Sequence, residues 1–439
     1  MAKIKKIQAS EVLDSRGFPT VEACLTVEDA RHPGELLQAR ALVPSGASTG
    51  EGEALELRDA DPKRFMGKGV LKAVSHIESQ IAPALEGKSV ENQKEWDDLL
   101  IELDGTPNKS RLGANAILAV SMAFVRARAL TQNRPTFQVL AQDYGSSGIT
   151  LPVPLMNILN GGKHADNGLA VQEFMIVPAG FSRFSDALRA GVEIFHCLKK
   201  ILHHKGRSTA VGDEGGFAPV FPGEKPHEQA LDSIMQAIEA SGYQPGKQIY
   251  LALDAAASEF YQKNASYAFE GKNVSSNEMA SIYSDWSTRY PILSIEDGLA
   301  EHDWAGWKHL TDQLGKKCQL VGDDLFVTNP IFLKQGIEKQ VANAILIKLN
   351  QIGSVSETLQ TMQMAKQAGY HSIVSHRSGE TEDTFIADLA VATDCAQIKT
   401  GSASRTDRIA KYNQLLRLEK ELGERAQFLG LKTFQRLIS

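Results

Sequence analysis

A chain of 439 residues exceeds one ordinary core, because single cores stop growing near about 250–300 residues; two domains are expected. With 42% hydrophobic residues, 23% charged residues and 36 glycines it reads as globular, which excludes a disordered chain, a collagen and a coiled coil. A formal net charge of −6 argues against a nucleic-acid coat protein but not against a local basic site that binds an anion.

The opening MAKIKKIQASEV is lysine-rich without an apolar stretch, so no secretory signal is expected. TVEACLTV (20–27) is rich in β-branched residues and LLQARALVP (36–44) follows the turn signal Pro33-Gly34, which predicts an antiparallel hairpin. Gly46, Ser48 and Gly50 match a GxSxG nucleophile elbow. Pro44 separates them from the preceding strand, however, and the EGEALEL that follows is no apolar helix; a mobile glycine-serine lid is the better reading. LGANAILAVSMAFVRARAL (112–130) predicts a helix whose apolar run contains Ser121 and ends at Arg126, short of the ~18–20 residues of a membrane span. TQNRPTFQVLAQDYGSSGIT (131–150) reads as a linker. It divides an α+β N-terminal domain, residues 1–135, from a larger domain over residues 145–439.

That larger part has a different rhythm. Short apolar runs stop abruptly at a polar residue: Asp254, Glu296, Asp323, Lys348, His376 and Lys399. The gaps from Glu296 onward are 27, 25, 28 and 23 residues, close to the roughly 30 per unit of a (β/α)8 barrel. Helical patterns lie between. DWAGWKHLTDQLG offers Asp303 as N-cap and Gly315 as stop, and Ser354 with Glu357 forms a capping-box pattern ahead of Gly369. The fold class expected is α/β, a mainly parallel (β/α)8 TIM-like barrel preceded by the smaller α+β domain. A doubly wound nucleotide-binding sheet is disfavoured because the chain has no GxGxxG and no GxxxxGK[ST]. Cys24, Cys197, Cys318 and Cys395 are scattered with no CxxC, as in reduced cytoplasmic proteins.

In such a barrel the C-terminal strand ends converge on one site. Asp254, Glu296 and Asp323 then share a small space, where two like charges about 4 Å apart repel by roughly 4 kcal/mol at an effective dielectric of ~20. A cation relieves that repulsion, and an all-oxygen set suits Mg²⁺. Lys348, ending an apolar strand near Lys399 and a cation, is expected to have a depressed pKa and so to serve as a general base. Arg377 and Ser378 offer an anion clamp. Two glycine-flanked turns carry Asp213 with Glu214, and His164 followed by Gln172 and Glu173.

VPSGASTG (43–50), LGANAIL (112–118), NGGKHADN (160–167), GDEGGFAP (212–219), SIEDGLAE (294–301), GDDLFVTN (322–329), ILIKLNQIG (345–353) and the run from SHRSGETEDTF to AKYNQLL (375–416) together resemble the enolase family, its bacterial members in particular. The resemblance covers essentially the whole chain. It implies reversible, Mg²⁺-dependent dehydration of 2-phosphoglycerate to phosphoenolpyruvate, with two Mg²⁺ per site in the substrate complex. Lys348 with Mg²⁺ follows the base-and-metal pairing that is a standard example for this superfamily. By the same resemblance Lys348 takes the C2 proton and Glu214, kept protonated by crowding, assists loss of the C3 hydroxyl with Glu173 beside it. Asp254, Glu296 and Asp323 hold the first Mg²⁺, and Ser48 in the lid helps to bind the second. Arg377 and Ser378 grip the phosphate, Lys399 the carboxylate end. His164 and Gln172 line the substrate, and His376 completes the wall. A cytoplasmic homodimer or larger even assembly is implied, with membership of an RNA-degrading complex or plasminogen binding at the cell surface as an added role. Two departures stand out: Phe18 where the family pattern SRGNPTVE has Asn, and FQVLAQ in place of LYxYL after the 112–130 helix.

Overall fold

Three antiparallel strands begin the chain in the order β1 (Lys3–Leu13), β2 (Pro19–Glu28), β3 (Leu36–Leu42). The structure, a computed structural model, describes residues 3–29, 34–46, 50–88 and 92–438. The β2–β3 hairpin is the one expected; β1 is not. Its lysines disguise it, yet it is an edge strand that buries Ile4 and Ile7 while Lys3, Lys5 and Lys6 face water, and charge on an open edge discourages pairing with other chains. The helix Ala114–Gln132 packs across β2 and β3. Among the described residues it alone is long and apolar enough to cross a membrane, but 83% of its apolar window is buried, as in a core helix. Phe18 lies in the turn after β1, with the Lys68 ammonium 3.7 Å from its ring centroid, a cation–π contact.

Residues 131–150 are not a linker. Left-handed Asn133 ends the long helix, and a second helix, Thr136–Tyr144, buries Phe137, Leu140 and Tyr144 before stopping at left-handed Gly145. It packs on the helix Phe385–Ala392. FQVLAQ is therefore part of the joint between the two domains.

The remaining strands are β4 (Thr150–Leu151), β5 (Val153–Asn160), β6 (Glu173–Val177), β7 (Tyr250–Asp254), β8 (Tyr267–Phe269), β9 (Lys272–Val274), β10 (Ile292–Glu296), β11 (Gln319–Gly322), β12 (Ala344–Ile347), β13 (His371–Ser375), β14 (Gln397–Lys399) and β15 (Gln427–Phe428). Eight of them close a barrel in the order β5-β6-β7-β10-β11-β12-β13-β14, with β8–β9 as an outlying hairpin. The barrel and the smaller α+β domain are as expected, with one reversal: β6 runs antiparallel to both β5 and β7. The twelve residues 161–172 that join β5 to β6 hold only a single 3₁₀ turn and no crossover α-helix, the usual means of bringing a strand back parallel, and β6 turns back instead. The first residue of β6, Glu173, thereby pairs with the last residue of β7, Asp254. The capping signals hold: Asp303 accepts from Gly306 N–H (2.9 Å) at the helix Trp304–Leu314, and Ser354 from Glu357 N–H (3.3 Å) at Val355–Gln367.

Arg126 of the long helix donates to Asp383 Oδ2 (2.6 Å) and Oδ1 (2.7 Å), and Asp383 also accepts from Leu42 N–H (3.0 Å). One carboxylate thus joins β3, the long helix and the barrel. Asp383→Ala leaves a largely buried guanidinium and a backbone N–H unpaired, and is expected to cost about 3 kcal/mol in urea unfolding. Asp98→Ala, at the exposed Lys94–Asp98 pair, should leave the midpoint unchanged.

Candidate active site

The strand-end residues come together as their spacing requires. Asp254 and Glu296 close β7 and β10, Asp323 and Lys348 follow β11 and β12, His376 follows β13, and Lys399 closes β14; all but half-buried Lys348 are buried. Lys399 Nζ donates to Asp254 Oδ2 (2.8 Å) and Glu296 Oε1 (2.8 Å) and lies 3.2 Å from Glu173 Oε1. Lys348 Nζ donates to Asp323 Oδ2 (2.5 Å), while Asp323 Oδ1 accepts from Gln351 Nε2 (2.9 Å).

The expected depression of Lys348 is not found. Burial is the largest single influence and pushes its pKa down, but the Asp323 carboxylate, with Glu296 adding to it, leaves the ammonium above its usual range. Lys399 is likewise raised: burial lowers it, and Asp254, Glu173 and Glu296 outweigh burial. Among the acids, burial and neighbouring Asp254 lift Glu296 well above the carboxylate range, with Lys399 opposing. Asp297 was not singled out from the sequence, although it directly follows Glu296. Its carboxylate accepts from the N–H groups of Asp323 (2.9 Å) and Asp324 (2.8 Å) and so fixes the loop after β11. One oxygen from each of Asp297, Asp323 and Asp324 lies within 4.8 Å of the others. Burial and Asp323 push Asp324 up to about 7. An all-oxygen cluster, largely buried, that already draws the Lys348 ammonium fits a hard divalent cation such as Mg²⁺. Of the three expected metal ligands only Asp323 belongs to this cluster; Asp254 and Glu296 are bridged instead by Lys399.

Opposite stands a second pair of acids. Glu214 lies on the GDEGG turn, which needs its glycines: Gly215 has φ +85°, and a Cβ at Gly216 would come 2.5 Å from Asn160 Oδ1. Asn157 Nδ2 donates to Glu214 Oε2 (3.0 Å); His376 Nε2 is 3.4 Å from Oε2, and His164 Nε2 is 3.8 Å from Oε1. Arg408 Nη1 donates to His376 Nδ1 (2.5 Å) and Arg377 O (2.5 Å), and Nη2 to Ser378 O (2.6 Å). With Nδ1 accepting, the proton of a neutral His376 sits on Nε2 and faces Glu214. Burial drives His376 down to about 3, so at neutral pH it is neutral.

The proton expected on Glu214 resides instead on its neighbour. Burial and the adjacent Glu214 lift Glu173 well above the carboxylate range. Burial also pushes Glu214 up, but His376, His164 and Arg408 outweigh it and hold it low. Two carboxyls this close share one proton.

Arg377 is buried, and its guanidinium is engaged bidentately by Glu53, at 3.1 and 3.2 Å. Glu53 comes from the N-terminal domain, which therefore contributes more than the lid; Ser48 itself lies outside the described residues. Ser378 and Gln172 line the same cavity as Lys348, Glu214 and Lys399. The cavity measures about 30 Å³, room for about one water. Buried His164 Nδ1 and Gln172 Oε1 have no hydrogen-bond partner, a pattern that calls for a polar ligand. Of the supporting groups that escaped sequence reasoning, Asn157 had a signal, being polar inside the apolar run VPLMNILN. Arg408 had none, because its role rests on reaching across to carbonyl groups of another strand end.

Two family models cover almost the whole chain: the enolase N-terminal domain matches residues 4–140, and the enolase C-terminal TIM barrel domain matches residues 148–437. With the barrel, the reversed β6 and the acid–lysine mouth, these matches mean that the chain belongs to the enolase family.

Proposed function

We propose that the chain catalyses the reversible dehydration of 2-phosphoglycerate to phosphoenolpyruvate. One observation carries this reading beyond family membership: Lys348 and the Glu173–Glu214 pair line one polar cavity, with a buried arginine beside them. A base and an acid in one cavity suit removal of a proton from C2 and of hydroxide from C3.

Arg377 and Ser378 grip the phosphate, which replaces the Glu53 carboxylate on the guanidinium. Lys399 faces the carboxylate end, and His164 and Gln172 line the substrate. Asp254, Glu296 and Asp323 are the residues that would hold Mg²⁺, and Ser48 is proposed for a second ion. When bound, the metal supplies positive charge beside the substrate carboxylate, where negative charge develops. Once Asp323 no longer pairs with it, Lys348 gives its proton to solvent and, as the neutral amine, takes the C2 proton. Without that carboxylate, burial, Arg377 and Lys399 all favour its neutral form. Glu173 passes the proton of the pair to Glu214, which delivers it to the C3 hydroxyl as that group leaves as water. His376 keeps its Nε2–H on Glu214 and orients it. The family leads us to expect a homodimer or larger even assembly.

Lys348→Ala should abolish both C2-proton exchange with solvent and turnover. Glu214→Gln should retain exchange while dehydration falls about 10²–10⁴-fold. NMR of the substrate in deuterated water separates the two, and full C2 exchange in the lysine variant would remove Lys348 as the base. Chelation by EDTA should stop turnover and added Mg²⁺ restore it; undiminished activity in metal-free protein would refute the metal set.

A further inference from the structure

Behind the loop that carries His164, Gln172 and Glu173 sits a buried imidazole, His227, near the start of the helix Pro226–Ala240. Its Nε2 accepts from two backbone groups of that loop, Ala170 N–H (2.9 Å) and Val171 N–H (3.3 Å). Two N–H donors require a lone pair on Nε2, so the ring proton is on Nδ1, which donates to Glu270 Oε1 at 2.6 Å. Glu270 forms the turn between β8 and β9 at φ 47°, a left-handed conformation that favours glycine. The ring stacks on Phe269, with centroids 4.6 Å apart, and lies 6.3 Å from Phe174, the residue after Glu173.

The rest of the loop is closed on itself and tied to the barrel mouth at Gln172. Gly161 N–H donates to Gln172 O (2.9 Å), Gly162 N–H to Leu169 O (2.8 Å) and Gln172 N–H to Asp254 O (2.9 Å). Residues 170 and 171 are the stretch held from outside the barrel, by His227.

We propose that His227 is a positioning residue for the dehydration half of the reaction. Glu270 fixes the Nδ1–H tautomer, Nε2 then anchors Ala170 and Val171, and that anchor sets where Gln172 and Glu173 meet Glu214. Lys348 and Arg377 stand after β12 and β13 and do not depend on it. The inference rests on the function proposed above for the Glu173–Glu214 pair.

Four variants test it: His227→Ala, His227→Gln, whose side-chain carbonyl can accept near the Nε2 position, Glu270→Ala and Glu270→Gln. His227→Ala should lower kcat for dehydration of 2-phosphoglycerate roughly tenfold or more, as misplaced reacting groups do. Its KM and its C2-exchange rate should stay within about threefold of the parent. His227→Gln and Glu270→Gln should recover most of the loss. An unchanged kcat in His227→Ala, equal loss of exchange and dehydration, or equal damage from Gln and Ala would overturn the proposal. If His227→Ala does not fold, Glu270→Ala against Glu270→Gln makes the same comparison. Backbone hydrogen exchange at 170–172 gives a readout independent of turnover. Loss of protection confined to that loop in the alanine variant, restored by glutamine, supports the anchor, and unchanged protection overturns it. A parent protein that leaves 2-phosphoglycerate unconverted defeats the proposed function, and exchange at 170–172 still decides the anchor.

Discussion

One buried ammonium organises the barrel mouth. Lys399 touches Asp254 and Glu296 and approaches Glu173, acids from three different strands. Like charges this close in a poorly polarisable interior repel by several kcal/mol. The molecule answers in two ways: it places Lys399 and Lys348 against the carboxylates, and it leaves Glu173, Glu296, Asp297 and Asp324 with raised pKa values. Removing one member of such a cluster leaves the others uncompensated, typically at about 3–5 kcal/mol. The same imbalance makes the site receptive to a divalent cation and an anionic ligand together, although the whole chain carries a net charge of −6.

The reversal of β6 is the second constraint. Had β6 run parallel, Glu173 would lie at the far end of the barrel from Asp254. Because it turns back after a short loop, Glu173 sits beside Asp254 and Lys399, while the GDEGG turn brings Glu214 to the same place. The acid pair is thus built by a hairpin and a glycine turn, whereas Lys348 is delivered by an ordinary strand end. Acid and base rest on independent pieces of structure, which lets their protonation be set separately.

Much of this was legible in the sequence. A polar residue ending each apolar run identified Asp254, Glu296, Asp323, Lys348, His376 and Lys399 together, and the near-constant interval from Glu296 onward is a direct record of barrel geometry. The caps Asp303 and Ser354 were readable because capping is local chemistry. What escaped was non-local. β1 hid behind its lysines because an edge strand tolerates charge on its open face. The helix Thr136–Tyr144 hid between helix-breaking Pro135 and Gly145. The direction of β6 depends on what fills a connection, which periodicity does not encode. Protonation escaped for a related reason: the proton favours Glu173 over Glu214 because of His376, His164 and Arg408, brought from other segments. Lys348 stays charged because Asp323 points at it. Glu53 was missed because its partner, Arg377, is 324 residues away.

The most direct measurement is the ultraviolet absorbance rise of phosphoenolpyruvate formation when the protein is given 2-phosphoglycerate and Mg²⁺. A sustained rise is expected, with none from glycerate, which lacks the phosphate that Arg377 and Ser378 would grip. No rise from 2-phosphoglycerate with folded, Mg²⁺-supplied protein would contradict the assignment of this site.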